Sequence, residues 1–329
     1  EAQRRRRTGR DPVEGLDVER HQLGEVVALV DTSLHAHDAV VLEQVALRRG
    51  AAFEPVETEM TMAINGTSAT LTPTVLLRNL TIRGGNSETG AFANPEGGGL
   101  EIRGRVSVRL NEDVYIEENA SGKGGGVYIR GDNATERALL WILGGSSIAF
   151  NAALTYGGGI YCDAYATIYH DSGDITANSA QYGGGAYLHD TCAYDSMVND
   201  TAFTGYNQNT ATSSGGGLYT QGPLAIRGSQ SYAFWFLGNR SGGDGGGLVV
   251  SGGDGRTVTL HTTVLMNNSG LNRAGVALAV YGDVKVNLAP APGHDQCSFL
   301  GVGLGACSAV VGNTSSSIAM GGVVTAMGN

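Results

Sequence analysis

The chain has 329 residues, 52 of them glycine, a formal net charge of −10 and only 16% charged residues. This much glycine argues against a compact helical core, because glycine costs about 1 kcal/mol per helix-interior position relative to alanine. An acidic surface with Lys123 and Lys285 as its only lysines disfavours nucleic acid and anionic membrane as partners.

Residues 1–52 differ in texture from the rest. They open with Arg4-Arg5-Arg6-Arg7, solvated charge or a processing site, and carry apolar residues at Leu23, Val26, Val27, Val30 and Leu34. That spacing suits an amphipathic helix capping the end of a repeat array, and an unordered leader is the plainer reading. Nothing near Glu1 resembles a signal peptide, so a processed or truncated chain is expected. No run approaches the roughly 18 apolar residues of a membrane-spanning helix.

From residue 53 the texture is β-like, with short runs of Val, Ile, Leu, Tyr and Thr broken by Gly, Asn and Ser. A triple glycine recurs at Gly97, Gly124, Gly157, Gly183, Gly215 and Gly245, in steps of 27, 33, 26, 32 and 30 residues. Weaker copies follow at Ala274-Gly275 and Gly321-Gly322. From the second triplet on, a second motif precedes each by five or six residues: an apolar residue, two of any kind, then Asn. Its asparagines are Asn119, Asn151, Asn178, Asn209, Asn239 and Asn268, the last ahead of the weak copy at Ala274-Gly275, with a looser copy at Asn313.

Two motifs in fixed mutual register define a solenoid. After each triplet, residues alternate with period two, as in Val127-Tyr128-Ile129. This sets an inward series, Leu100/Ile102, Val127/Ile129, Ile160/Cys162, Ala186/Leu188, Leu218/Thr220 and Leu248/Val250. The expected fold is all-β, a right-handed parallel β-helix of about eight coils of roughly 30 residues, with three short strands per coil. It spans 53–329, with core repeats over 97–290 and an irregular last coil carrying a loop at 290–308. Asparagines repeated at one corner are expected to stack as a hydrogen-bonded ladder.

The glycine-triplet-plus-aliphatic and apolar-x-x-Asn elements resemble the chlamydial polymorphic outer membrane protein repeats over roughly residues 75–325. That family prefers Phe where this chain has Ile, Tyr, Phe or Leu. The resemblance implies surface display, often as an autotransporter passenger, and adhesion. The chain departs from the family in having no C-terminal β-barrel sequence.

Several residues invite a chemical reading. Tyr128, Tyr161, Tyr187 and Tyr219 hold the same outward position in four consecutive coils, so they form an aromatic strip for sugar rings or a partner protein, or one that stabilises itself by stacking. A polar cluster of Asp163, His170, Asp171, Asp174, His189, Asp190 and Asp195 holds the residue types that serve as the paired carboxylates of a glycoside hydrolase or the base of a lyase. His170 lies eleven residues after its triplet and His189 only four, so the two do not stack. The weak catalytic candidates are therefore His170, Asp171 and Asp174.

Cys162 aligns with core positions, and register does not favour its pairing with Cys192. Cys297 and Cys307 bracket a Gly-rich loop that a disulfide could close, or stay as free thiols. Eight Asn-x-Ser/Thr sequons occur, of which Asn119, Asn239 and Asn313 fall at the ladder corner. No motif calls for a metal or cofactor. The expected function is a secreted or cell-surface scaffold for adhesion to a glycan or surface protein. A polysaccharide-active enzyme and a purely structural spacer are the alternatives.

Overall fold

The computed structural model describes residues 62–286, apart from 67–71, 87–95, 199–202, 229–231, 262 and 271–276, together with the backbones of strands outside that span. The described residues wind as an all-β, right-handed parallel solenoid of about six turns with three main sheets, and no helix occurs among them. The expected coil count is higher because it includes the weak copies at Ala274-Gly275 and Gly321-Gly322, which lie outside the described residues. Among the described residues, no helix is long and apolar enough to cross a membrane.

One turn, residues 124–156, shows the plan. The glycine triplet leads into Val127–Arg130, a loop leads to Ala138–Ile142, and both strands join the first sheet. Ser147–Ala149 then joins the second sheet and Ala152–Tyr156 the third. Each strand pairs in parallel with its counterpart one turn on. The two strands of the first sheet merge in later turns, where Leu248–His261 and Leu278–Ala289 run through both positions.

Alternation along the strands builds the core. Leu100, Val127, Ile160, Ala186, Leu218 and Leu248 are direct partners from turn to turn, and all are fully buried. Ile102, Ile129, Cys162, Leu188, Thr220 and Val250 form a second buried file. Burying each large aliphatic side chain contributes about 1.5–3 kcal/mol. Thr220 is tolerated there because its hydroxyl donates to the Gly222 carbonyl and accepts the Gly222 N–H, both at 3.1 Å.

The glycine triplets serve two needs. Gly157 has φ +63°, in the left-handed region that favours glycine. Gly158 and Gly159 instead allow neighbouring turns to touch. A Cβ at Gly158 would sit 2.3 Å from the Ser179 carbonyl oxygen, and one at Gly159 2.6 Å from that of Gly185.

Asn119, Asn151, Asn178, Asn209, Asn239 and Asn268 stack at the corner between the second and third sheets, none more than 3% exposed. Each of the first five donates its Nδ2 to the Oδ1 of the next asparagine at 2.9–3.0 Å. The other Nδ2 proton of Asn151 goes to the Ile116 carbonyl, and that of Asn178 to Ile148. The apolar residue that opens each motif therefore fills the core and also receives the amide from the next turn.

Cys162 and Cys192 form a disulfide with a Cα–Cα distance of 5.9 Å, which corrects the expectation that register disfavours the pair. Cys162 ends its strand opposite Leu188. The chain then folds back through a turn closed by the Cys192 N–H and the His189 carbonyl at 3.0 Å, which returns Cys192 to the interior. Both cysteines are fully buried.

Strand pairing continues on either side. Val30–Asp31, Ala39–Glu43 and Ala46–Leu47 pair in parallel with Met62–Gly66, Thr74–Arg78 and Leu80–Arg83, within the segment assigned to a leader. The remainder of the helix expected over 23–34 lies outside the described residues. Gln296–Gly301 pairs with Val323–Gly328. The side chain of Cys297, all of Cys307 and Asn313 lie outside the described residues, and with them the Cys297–Cys307 pairing.

Candidate functional site

Tyr128, Tyr161, Tyr187 and Tyr219 are direct cross-strand partners on the outward side of the first sheet. Outward here does not mean exposed: Tyr128, Tyr161 and Tyr187 are 0%, 6% and 8% accessible. The cause is the tight glycine corner. Tyr156 and Tyr182 immediately precede two triplets, and the turn swings them over the strip from the third sheet. Tyr156 lies 4.6 Å from Tyr187 and 5.9 Å from Tyr161, centroid to centroid, while Tyr187 and Tyr219 stack at 5.1 Å and 7°. Cations close the near end, with the Arg103 guanidinium 4.7 Å from the Tyr128 ring and Lys123 5.6 Å from that of Tyr161. The Tyr128 hydroxyl donates to Asp163 at 2.7 Å, and burial followed by that carboxylate raises its pKa. These ring faces are taken up largely by one another.

His170 follows Tyr169 in a strand, so its side chain turns inward and is fully buried. Its Nε2 lies 2.9 Å from the Gly173 carbonyl, which can only accept, so Nε2 carries the proton. Nδ1 then accepts from the Tyr194 hydroxyl at 2.5 Å. Desolvation lowers its pKa to about 4. Asp171 lies on the opposite side of the strand and accepts the Met197 N–H at 3.1 Å. Asp174 belongs to the second sheet, and burial raises the pKa of both carboxyls. The structure thus does not bring His170, Asp171 and Asp174 together around an open space.

An open groove exists elsewhere, on the outer face of the second strand of each turn in the first sheet. Arg109, Trp141, Tyr169, Asp195 and Ala225 succeed one another there as direct partners. Trp141 and Tyr169 stack at 3.9 Å and 16°, and the Arg109 guanidinium lies 5.2 Å from the far side of the pair, against Trp141. Beyond Tyr169 the side chains shorten to Ala193, Asp195 and Pro223, opening a groove of about 540 Å³. Ala134, Tyr165, Thr167, Arg137, Asp190 and Thr191 complete its lining.

The charges around this groove are mostly engaged. Arg137 donates to Thr167 Oγ1 at 3.0 Å and to the Thr191 and Ala166 carbonyls. Arg227 pairs with Asp195, and His189 Nδ1 lies 2.6 Å from Asp190. Among the described residues, no group of three or more His, Cys, Asp or Glu is placed to hold a metal ion.

Sequence reasoning reached Asp190 and Asp195 but missed Trp141 and Tyr169. Leu140-Trp141-Ile142 and Ile168-Tyr169-His170 both alternate in the same phase. However, Trp141 lies 15 residues after its triplet and Tyr169 only 10, so counting from the glycines does not align them. Compared with family models, curated proteins and solved structures, the chain matches none.

Proposed function

We propose that this chain is the displayed part of a secreted or cell-surface scaffold that adheres to a glycan or surface protein through the outer face of its solenoid. The observation that carries the reading is the open groove beside the Trp141–Tyr169 stack, with Tyr165 and Tyr169 in its wall. Sites built on regular strands hold their geometry well. The Cys162–Cys192 disulfide supports an oxidising compartment, where such bonds form and persist. The repeat resemblance to polymorphic outer membrane proteins points the same way.

The experiment couples the full chain to beads and measures their retention on surfaces coated with glycans or with cell-surface proteins. Retention that leaves the coating chemically intact supports a scaffold. Absence of retention on both kinds of surface would refute it. A polysaccharide-active enzyme stays as the second reading because Asp190 and Asp195 line the same groove. It requires release of new reducing ends or unsaturated products from a polysaccharide.

A further inference from the structure

We propose that the groove beyond Tyr169 binds a neutral sugar ring, with the free face of Tyr169 as its platform. This deepens the adhesion reading and rests on it.

The aromatic ladder ends at this point. One face of Tyr169 is covered by Trp141 at 3.9 Å. Its other face looks along the solenoid axis towards the turn of Asp195, its direct partner. Turns are spaced about 4.8 Å apart, and a carboxylate drawn toward Arg227 leaves the space over the ring unfilled. Ala193 and Pro223 floor the recess with small side chains. The volume of about 540 Å³ falls within the range of roughly 300–1,000 Å³ typical of small-ligand sites.

The chemistry of the lining selects the ligand class. A ring face is electron-rich and favours the weakly positive C–H groups on one side of a pyranose. Asp190 and Asp195 offer acceptors for sugar hydroxyls, and Thr167 and Thr191 offer hydroxyls of their own. Charge excludes the acidic sugars. Arg137 is the sole cation in the lining, set against two carboxylates, and its Nε and Nη2 are directed to Thr167 and to two carbonyls, which fix the guanidinium in place. Arg227 is committed to Asp195. A uronate, sulfate or phosphate would face two carboxylates for one guanidinium, a like-charge repulsion. Hydroxyl-rich neutral rings meet no such penalty.

The test is an equilibrium titration of the full chain with neutral glucose-, galactose- and mannose-based tetrasaccharides, and with a uronate tetrasaccharide. Tryptophan fluorescence serves as the readout, since Trp141 abuts the platform. At least one neutral oligosaccharide is expected to bind, and the uronate at least tenfold more weakly. Tyr169→Ala is expected to weaken binding tenfold or more, Tyr169→Phe to preserve it within about twofold, and Asp190→Asn to weaken it severalfold. Tyr187→Phe, in the buried tyrosine cluster, is expected to have no effect. Unchanged far-ultraviolet circular dichroism verifies that each variant folds. Preferred uronate binding, or neutral binding indifferent to Tyr169→Ala, overturns the assignment. So does failure of every neutral sugar while beads still adhere to a protein-coated surface, a result that leaves the adhesion role standing. Failure of both overturns both.

Discussion

Asn151 and Asn178 lie one turn apart and meet at a single oxygen: Asn178 Oδ1 accepts both the backbone N–H of Asn151 at 2.9 Å and its Nδ2 at 3.0 Å. Asn178 in turn donates to Ile148 and to Asn209. Every polar atom of the amide is used, in a place with almost no water. Asn178→Ala removes the acceptor for two buried donors at once, so a loss of about 2–4 kcal/mol is expected. Asn178→Asp is expected to cost more near neutral pH, because a carboxylate cannot donate to the Ile148 carbonyl. Urea denaturation monitored by circular dichroism measures both.

The corner before the ladder carries strain that substitution can relieve. Phe150 has φ +56° and is 62% exposed, and the equivalent positions hold Glu118, Ala177, Gln208, Gly238 and Asn267, all with positive φ. A left-handed conformation costs an ordinary residue roughly 1–2 kcal/mol, and asparagine less. Phe150→Asn is therefore expected to raise stability by about 1 kcal/mol. No gain in the urea midpoint would show that the Phe150 side chain makes compensating contacts.

Acid is expected to weaken the fold through His170. Its pKa in the folded chain is pushed down to about 4 by burial, against about 6.5 when unfolded. Between those values the unfolded state binds the extra proton, so stability is full above about pH 6.5 and falls as the pH drops towards 4. The loss across that window is about 3 kcal/mol. His170→Gln is expected to be less stable at pH 7 yet to lose much of this slope, as read from urea midpoints between pH 7 and 4.5.

The disulfide closes a segment of 30 residues and is expected to stabilise the fold by about 3–4 kcal/mol on the loop-entropy account. The Cys162→Ser/Cys192→Ser double variant should lower the urea midpoint accordingly. Because both sulfurs are fully buried, dithiothreitol should reduce the native protein slowly and the urea-unfolded protein rapidly.

The repeat was legible because its two motifs meet physical demands at every turn. Gly157 supplies a backbone conformation, Gly158 supplies space, and Asn178 supplies an amide that links three turns. Alternation after each triplet then assigns Val127 and Ile129 to the core. What the sequence hid lies where spacing is free to vary. The loop after Val127–Arg130 is longer than the one after Ile160–Cys162, which concealed the alignment of Trp141 with Tyr169 and hence the groove. The tyrosine strip was visible, but its burial was not, since Tyr156 and Tyr182 reach it across a corner whose angle no local pattern specifies. Cys192 escaped for the same reason, returned to the interior by a short turn.

The proposed role is that of a scaffold that holds a partner on the outer face of the solenoid. The most direct test incubates the full chain with polysaccharides, and measures retained polymer and newly formed chain ends in the same sample. The account predicts retention with no new ends at any time point. Release of reducing or unsaturated ends, abolished by Asp190→Asn or Asp195→Asn in a folded variant, would contradict it.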